Sequence, residues 1–291
     1  MTATALVLVL LSAVAHAGWN FLLKRGHDHE AFVWWIQASI TVMFLPLAIV
    51  IAVVDPMDSR GWMYVVGTAI LHAFYFVFLG RGYARGDLSQ VYPIARGTGP
   101  TLVPILGVVL LGETISAQAV VGIIAVIAGI FVVYWSGRLA LMFTHPLLFL
   151  REPATIYALA TGMLIASYSV WDKVGVSHVA PFLYMYLMAL GTGIILTPYI
   201  LGTRGLATVR AEWVANSRTI LIVGALTFLA YGLVLSALEL SRVSYVWPTR
   251  EIGIVVAVLL GSLVLKEPYK RGRIIGSCMV VLGVGVIALA P

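Results

Sequence analysis

Apolar runs about 20 residues long follow one another along this chain, divided by short segments rich in charge, glycine or proline. That pattern leaves few folds open. About 20 apolar residues in a helix cross a hydrocarbon core near 30 Å thick. Strands of a membrane barrel would instead alternate in character every second residue over about 10 positions. Only 10% of the residues are charged, against about a quarter in soluble domains, so a soluble fold of this chain would lack a polar shell. A bilayer removes that need but requires each spanning segment to satisfy its own backbone hydrogen bonds, which a helix does.

The runs predict an all-α integral membrane protein with ten spans at 3–23, 31–54, 62–80, 88–111, 116–136, 154–172, 180–201, 219–238, 243–265 and 272–290. Residues 1–136 form a first five-helix half, 137–153 a connecting segment that rests partly in the membrane interface, and 154–291 a second half. The first run carries Ala15-His16-Ala17, which looks like a signal-peptidase site. It has no basic residue before Lys24 and stays apolar to Leu23, so a span is the better reading.

The halves repeat each other in order. Ala17-Gly18-Trp19-Asn20 matches Ser169-Val170-Trp171-Asp172, and Ser89-Gln90-Val91-Tyr92-Pro93 matches Ser244-Tyr245-Val246-Trp247-Pro248. Leu111-Gly112-Glu113 matches Leu265-Lys266-Glu267, and Gly122 and Gly129 match Gly276 and Gly283. Of the 18 lysines and arginines, most fall in loops after odd-numbered spans, while Arg60, Lys173 and Arg242 lie on the opposite side. This bias places the odd loops in the cytoplasm and both termini outside, in a bacterial-type inner membrane. Five spans per half then invert one half relative to the other, with a central cavity and site expected between them near the midplane.

YARGDLSQVYPIARGTGP at 83–100 running into LLGETIS at 110–116, and SRVSYVWPTREIG at 241–253 running into LVLKEPY at 263–269, resemble the drug/metabolite transporter superfamily and, within it, the EamA-type ten-helix transporters. The YddG-like exporters of aromatic amino acids are a neighbouring branch. The resemblance covers nearly the whole chain and implies secondary transport of a small metabolite. It leaves open amino acids, drugs, nucleotide sugars and phosphorylated metabolites. Lys266 stands where the family pattern has glycine before the second glutamate.

Pro93 and Pro248 remove backbone donors at equivalent places in spans 4 and 9, and Gly97, Gly99, Pro100 and Pro104 loosen span 4 further. Broken helices at matching positions of two repeats point to a transport site. Arg96, Arg250 and Glu251 are charges inside these helices, which insertion scales penalise by about 2.5–3.5 kcal/mol each. Arg96 either binds a substrate carboxylate or pairs with Glu251 or Asp172 across the pseudo-twofold axis. Arg250 reads as structural, offset by Glu251. His72 and Tyr75 share a face of span 3, as do His16, Trp19 and Asn20 in span 1 and Tyr168, Trp171 and Asp172 in span 6. His72, Tyr75, Trp19, Asn20, Tyr168 and Trp171, with Tyr92, Tyr231 and Trp247, complete the candidate substrate-binding set, Trp19 and Trp171 reading rather as belt or gate residues. Trp34, Trp35, Trp62, Tyr64 and Tyr134 suit interfacial belts.

Glu113 and Glu267 read as N-terminal caps of spans 5 and 10. Gly122, Gly129, Gly276 and Gly283 suit either a contact between those spans or a homodimer. The one cysteine, Cys278, excludes an intrachain disulfide and a cysteine-based metal site. No Walker A or HExxH motif is present and no cofactor is called for. The net charge of +6 is explained by topology and not by nucleic acid. The expected partners are the bilayer and a small-molecule substrate, most simply an exported amino acid, aromatic or otherwise apolar. The alternatives are lipid or lipid-linked precursor flipping, phosphorylated or nucleotide-linked solutes, and a non-transporting assembly subunit. Facilitated diffusion, exchange and proton antiport all remain open.

Overall fold

The computed structural model describes residues 1–23, 26–86, 88–135, 151–265 and 271–291. Among these there is helix and no strand. The first half contains α1 (Ala3–Leu23), α2 (His29–Met43), α3 (Leu45–Val54), α4 (Gly61–Tyr83), α5 (Leu88–Leu111) and α6 (Ala117–Trp135). The second contains α7 (Pro153–Gly175), α8 (Pro181–Thr203), α9 (Gly205–Leu240), α10 (Val243–Arg250), α11 (Ile252–Leu265) and α12 (Arg271–Ala288). Eight of these helices are long and apolar enough to cross a bilayer alone, and α2 with α3 forms a ninth crossing bent by 55°. The α10–α11 pair fills the place of predicted span 9, but the break at Glu251 leaves pieces of 8 and 14 residues, each too short to cross alone. The Met1 amino group lies 3.4 Å from the Ala290 carbonyl. Both ends of the chain thus meet at one end of the bundle, as an even number of crossings requires.

Three local departures from the sequence reading have simple causes. Predicted span 2 bends at Phe44, because Pro46 in the first turn of α3 has no N–H to return to α2. Predicted span 8 begins at Gly205 and not at 219, giving a 36-residue helix of about 54 Å. Its early turns include buried Glu212, which accepts the backbone N–H groups of His27 and Asp28 at 3.2 and 2.9 Å and so holds the loop before α2. The matched breaks expected in spans 4 and 9 occur only in span 9, since α5 is continuous from Leu88 to Leu111.

The halves interlock. α1 packs on α9 as α7 packs on α4, and α5 packs on α7 as α10 and α11 pack on α1. The α6–α12 and α2–α8 pairs are their own equivalents and mark the pseudo-twofold axis. In α6–α12, Gly122 faces the Gly283 carbonyl and Gly129 faces the Gly276 carbonyl, so the helices run antiparallel at close range. The glycine faces are therefore used within the chain.

Glu113 caps a helix of the other half, and not span 5 as expected. Gly112 takes φ +67°, a left-handed turn that glycine adopts freely, and turns the chain back over α5. Glu113 then accepts the N–H groups of Val243 and Ser244 at 2.7 and 3.0 Å and the Ser244 hydroxyl at 2.6 Å. Ser116 takes the cap of α6, its Oγ accepting from Ala119 N–H at 3.2 Å. Glu267 lies outside the described residues. Two equivalent side-chain contacts tie the bundle ends, Asp58 to His178 at 2.8 Å and Arg204 to Glu30 at 3.0 Å. The His178 hydrogen bond holds the Asp58 carboxyl below its usual range. That contact is therefore present at neutral pH and is lost as acid protonates Asp58.

A Cβ at Gly129 would stand 2.7 Å from the Gly276 carbonyl oxygen, and one at Gly276 would stand 2.6 Å from that of Gly129. Substituting either by leucine is expected to cost about 1–3 kcal/mol through overpacking. A lower unfolding midpoint in detergent for both Gly129→Leu and Gly276→Leu, against little change for Gly202→Leu at a glycine with open space around it, checks this packing.

Candidate functional site

The interrupted span supplies the centre of the site. Pro248 offers no N–H to the preceding turn, and α10 ends two residues later. There the Glu251 N–H bonds back to the Pro248 carbonyl at 3.2 Å, three residues away and not four. The tightened turn presents consecutive polar side chains to the bundle interior. Trp247, Thr249 and Glu251 are fully buried and Arg250 nearly so. Among the described residues Trp247 Nε1, Thr249 Oγ1, Arg250 Nε and both Glu251 oxygens find no hydrogen-bond partner. Buried polar atoms are nearly always satisfied, so a run of unsatisfied ones at a helix break is what a ligand-binding segment would show.

Glu251 is ion-paired across the halves with Arg96, Nη1 to Oε1 at 3.6 Å. The two residues are 155 positions apart, as are Pro93 and Pro248. The repeat thus places opposite charges at equivalent sites, where they meet. Arg250 lacks such a pair. Among the described residues no carboxylate comes within ion-pairing distance of it. Its guanidinium lies instead 4.8 Å from the Trp247 ring and 5.7 Å from the Tyr231 ring, contacts worth about 0.5–2 kcal/mol. Glu251 therefore makes its ion pair with Arg96 and acts on its sequence neighbour only from beyond contact distance, because adjacent helical side chains diverge.

His16 of α1 joins the two arginines. Its Nε2 is 3.2 Å from Arg96 Nη2, and its Nδ1 is 3.0 Å from Arg250 Nη2 and 3.1 Å from Trp19 Nε1. A neutral imidazole has one acceptor nitrogen, and here donors approach both. In either tautomer the imidazole accepts from only one of the two guanidiniums.

An aromatic wall adjoins these charges. His72 stacks on Tyr168 at 4.1 Å, and Tyr231 meets His72 edge-on at 5.5 Å. Tyr168 touches Trp247 at 5.8 Å and Tyr75 at 5.8 Å. The structure thus brings His72, Tyr75, Tyr168, Tyr231, Trp247, Arg96, Arg250 and Glu251 into one assembly. Asn20 bonds to its own helix at the His16 carbonyl. Trp171 stands apart, donating to the Tyr64 carbonyl at 2.9 Å and packing α7 on α4. The Tyr92 side chain lies outside the described residues. A separate apolar recess of about 80 Å³, lined by Leu23, Val33, Phe76, Val77, Leu196 and Tyr199 among others, contains none of the assembly.

The EamA-like transporter family matches residues 3–135 and again residues 152–289. The chain belongs to this family. Two copies of the family unit in one chain agree with the interlocked halves, and membership makes the protein a multi-pass membrane transporter and not an enzyme. The chain is similar to the uncharacterized protein MJ1333.1 of Methanocaldococcus jannaschii, 27% identical over 129 residues covering 44% of this chain and 93% of that protein. That relative is therefore about the length of one half. The multidrug resistance protein EbrB of Bacillus subtilis is 36% identical over 74 residues, 25% of this chain and 62% of that protein. A solved protein structure shares the fold at TM-score 0.71 and 16% identity, covering 98% of this chain and 97% of that one.

Sequence reasoning left out His16, although it noted its face of span 1. A histidine in an apolar run was the available signal, but which charges it would meet was not readable. The pairing has a stability consequence. Arg96→Gln and Glu251→Gln are each expected to cost about 3–5 kcal/mol by stranding a buried charge, with the double variant costing far less than their sum. Arg250→Gln combined with Glu251→Gln should show a smaller coupling, since the two share the cluster but form no ion pair. Unfolding midpoints of the two double-mutant cycles in detergent check the assignment.

Proposed function

We propose that this EamA-family transporter exports amino acids with aromatic or other apolar side chains by alternating access, with Arg250 receiving the substrate carboxylate. What carries the reading is Arg250 itself: a buried guanidinium that, among the described residues, has no carboxylate within ion-pairing distance and no acceptor for its Nε, beside an imidazole that cannot accept from both arginines. A substrate carboxylate would supply the missing acceptor in a bidentate contact. The aromatic wall of Tyr168, Tyr231 and Trp247 offers an apolar side chain a surface. Arg96 holds its place through Glu251. The odd-numbered loops face the cytoplasm of a bacterial-type inner membrane and both termini face outside. The lysine and arginine bias supports this, and the meeting of the two ends agrees with it.

EbrB's name favours a second reading, export of drugs. A cationic drug would meet Arg250 unfavourably, so the charge at the centre argues for anionic or zwitterionic solutes. Phosphorylated solutes and lipid headgroups share that anion chemistry and belong in the same test.

Purified protein in liposomes should exchange labelled phenylalanine or leucine saturably. Losing a charge-assisted contact costs about 1.5–3 kcal/mol, so Arg250→Ala should weaken apparent affinity about ten- to a hundredfold, with Arg250→Lys intermediate. Flux of a cationic dye or of a sugar phosphate, with none of any amino acid, would replace the reading.

A further inference from the structure

We infer that Asp172 is the proton-binding site that drives transport, taking up one proton from the outer side for each substrate exported; this rests on the transporter reading above. Asp172 lies on α7 with no exposed surface. Its carboxylate accepts from the Tyr184 hydroxyl of α8 at 2.8 Å and from the Tyr231 hydroxyl of α9. Thr68 of α4 faces it as well, and that hydroxyl lies 3.1 Å from His72 Nδ1. Tyr184 also reaches the Tyr64 carbonyl of α4 at 3.2 Å. On α7 itself, Tyr168 stands one turn earlier, and the Lys173 ammonium turns away to the Leu238 and Ser241 carbonyls. From α10, Arg250 and Trp247 approach only as far as the rings of Tyr231 and Tyr168.

Every partner of this carboxylate is thus a neutral hydroxyl. Among the described residues Asp172 forms no ion pair. A buried charge without a counter-ion is costly, and the group that removes the cost without rearranging a helix is a proton. Protonation at Oδ2, the oxygen that Tyr231 donates to, makes that oxygen a donor, and the Tyr231 hydroxyl contact then weakens or reverses.

Tyr231 makes the proton matter to the substrate. Its hydroxyl is on Asp172, while its ring faces the Arg250 guanidinium at 5.7 Å and the His72 edge at 5.5 Å. A change in its hydrogen bond to Asp172 therefore moves one wall of the proposed carboxylate site. The carboxylate also ties α7, α8 and α9 together, and neutralising it loosens that tie. The step balances simply: the carboxylate and one proton give the carboxylic acid on the outer side, and the acid returns the proton to the cytoplasm when substrate rebinds. The proton gradient is the only other reactant.

Two measurements on the full chain test this. Infrared difference spectra between acidic and neutral buffer, with no substrate present, should show a carboxylic-acid C=O band that Asp172→Asn abolishes and Asp172→Glu moves. In liposomes, wild type should accumulate labelled phenylalanine under an imposed proton gradient. Asp172→Asn should lose that accumulation while retaining labelled-for-unlabelled phenylalanine counterflow. A band that survives in Asp172→Asn, or gradient-driven accumulation in that variant, overturns the proposal. If Asp172→Asn fails to insert, a band unmoved in Asp172→Glu does the same. Absence of phenylalanine counterflow in wild type refutes the substrate reading instead and leaves the infrared result to decide this one.

Discussion

A charged side chain at the centre of a bilayer costs about 2.5–3.5 kcal/mol on insertion scales, and this bundle holds Arg96, Arg250, Glu251 and Asp172 in its interior. Lipid offers them nothing, so each is held by another part of the protein. Glu251 pairs with Arg96 from the other half, His16 stands between the arginines, and hydroxyls from α8 and α9 hold Asp172. These contacts require spans 1, 4 and 9 to meet at one place and spans 6, 7 and 8 at another. The apolar packing around them, including the close α6–α12 contact, can vary in detail only so far as those meetings survive.

Duplication explains why the meeting is possible, and divergence explains what it does. Two identical inverted halves would place like charges opposite each other at positions 96 and 251. Arginine in one copy and glutamate in the other turn a repulsive contact into a pair. The same divergence sets Asn20 against Asp172 and unbroken α5 against broken α10–α11. Symmetry builds the frame, while the polar chemistry sits in the second half, where the helix is interrupted and the unsatisfied atoms are gathered.

Much of the frame was legible because it follows from one-dimensional quantities. Run length fixed the spans, repeat spacing paired the halves, and proline marked span 9. The features that escaped depend on which surfaces meet. Hydropathy registers only the membrane-embedded part of α9, so Arg210, Glu212 and Arg218 hid its early turns, although Glu212 is buried and holds the loop before α2. Pro46 was visible but sat in an apolar run that otherwise reads as one span. Asp172 appeared as the counterpart of Asn20 and as one possible partner of Arg96, and Tyr184 gave no signal, since a tyrosine near a helix start reads as an interfacial anchor. The identity of Arg96's partner was an open pair of choices until geometry put Glu251, and not Asp172, beside it.

The Glu113 cap bears on how such a bundle changes state. Glu113 holds the first turn of α10, and Arg242 just before it donates to the Thr114 carbonyl at 2.9 Å. The end of α5 is thereby fastened to the start of α10 on the side where both termini lie. Opening that side needs α10 to leave the carboxylate, which exposes two backbone N–H groups to be satisfied by water. An inverted repeat would place the same clasp at the opposite end, but the position equivalent to Gly112 is Lys266. Lysine pays a steric penalty in the left-handed conformation that Gly112 adopts. A turn identical to the first is therefore less favourable at the second clasp. The Arg204 contacts to Glu30 and Asp28, at 3.0 and 3.6 Å, fasten that opposite end by charges at its surface. Among the described residues both ends thus combine a carboxylate on backbone N–H groups, Glu113 at one and Glu212 at the other, with a surface contact, Asp58–His178 at one and Arg204–Glu30 at the other. Salt screens exposed charge contacts far more than part-buried caps, so at high ionic strength the Glu113 and Glu212 caps are the fastenings that persist.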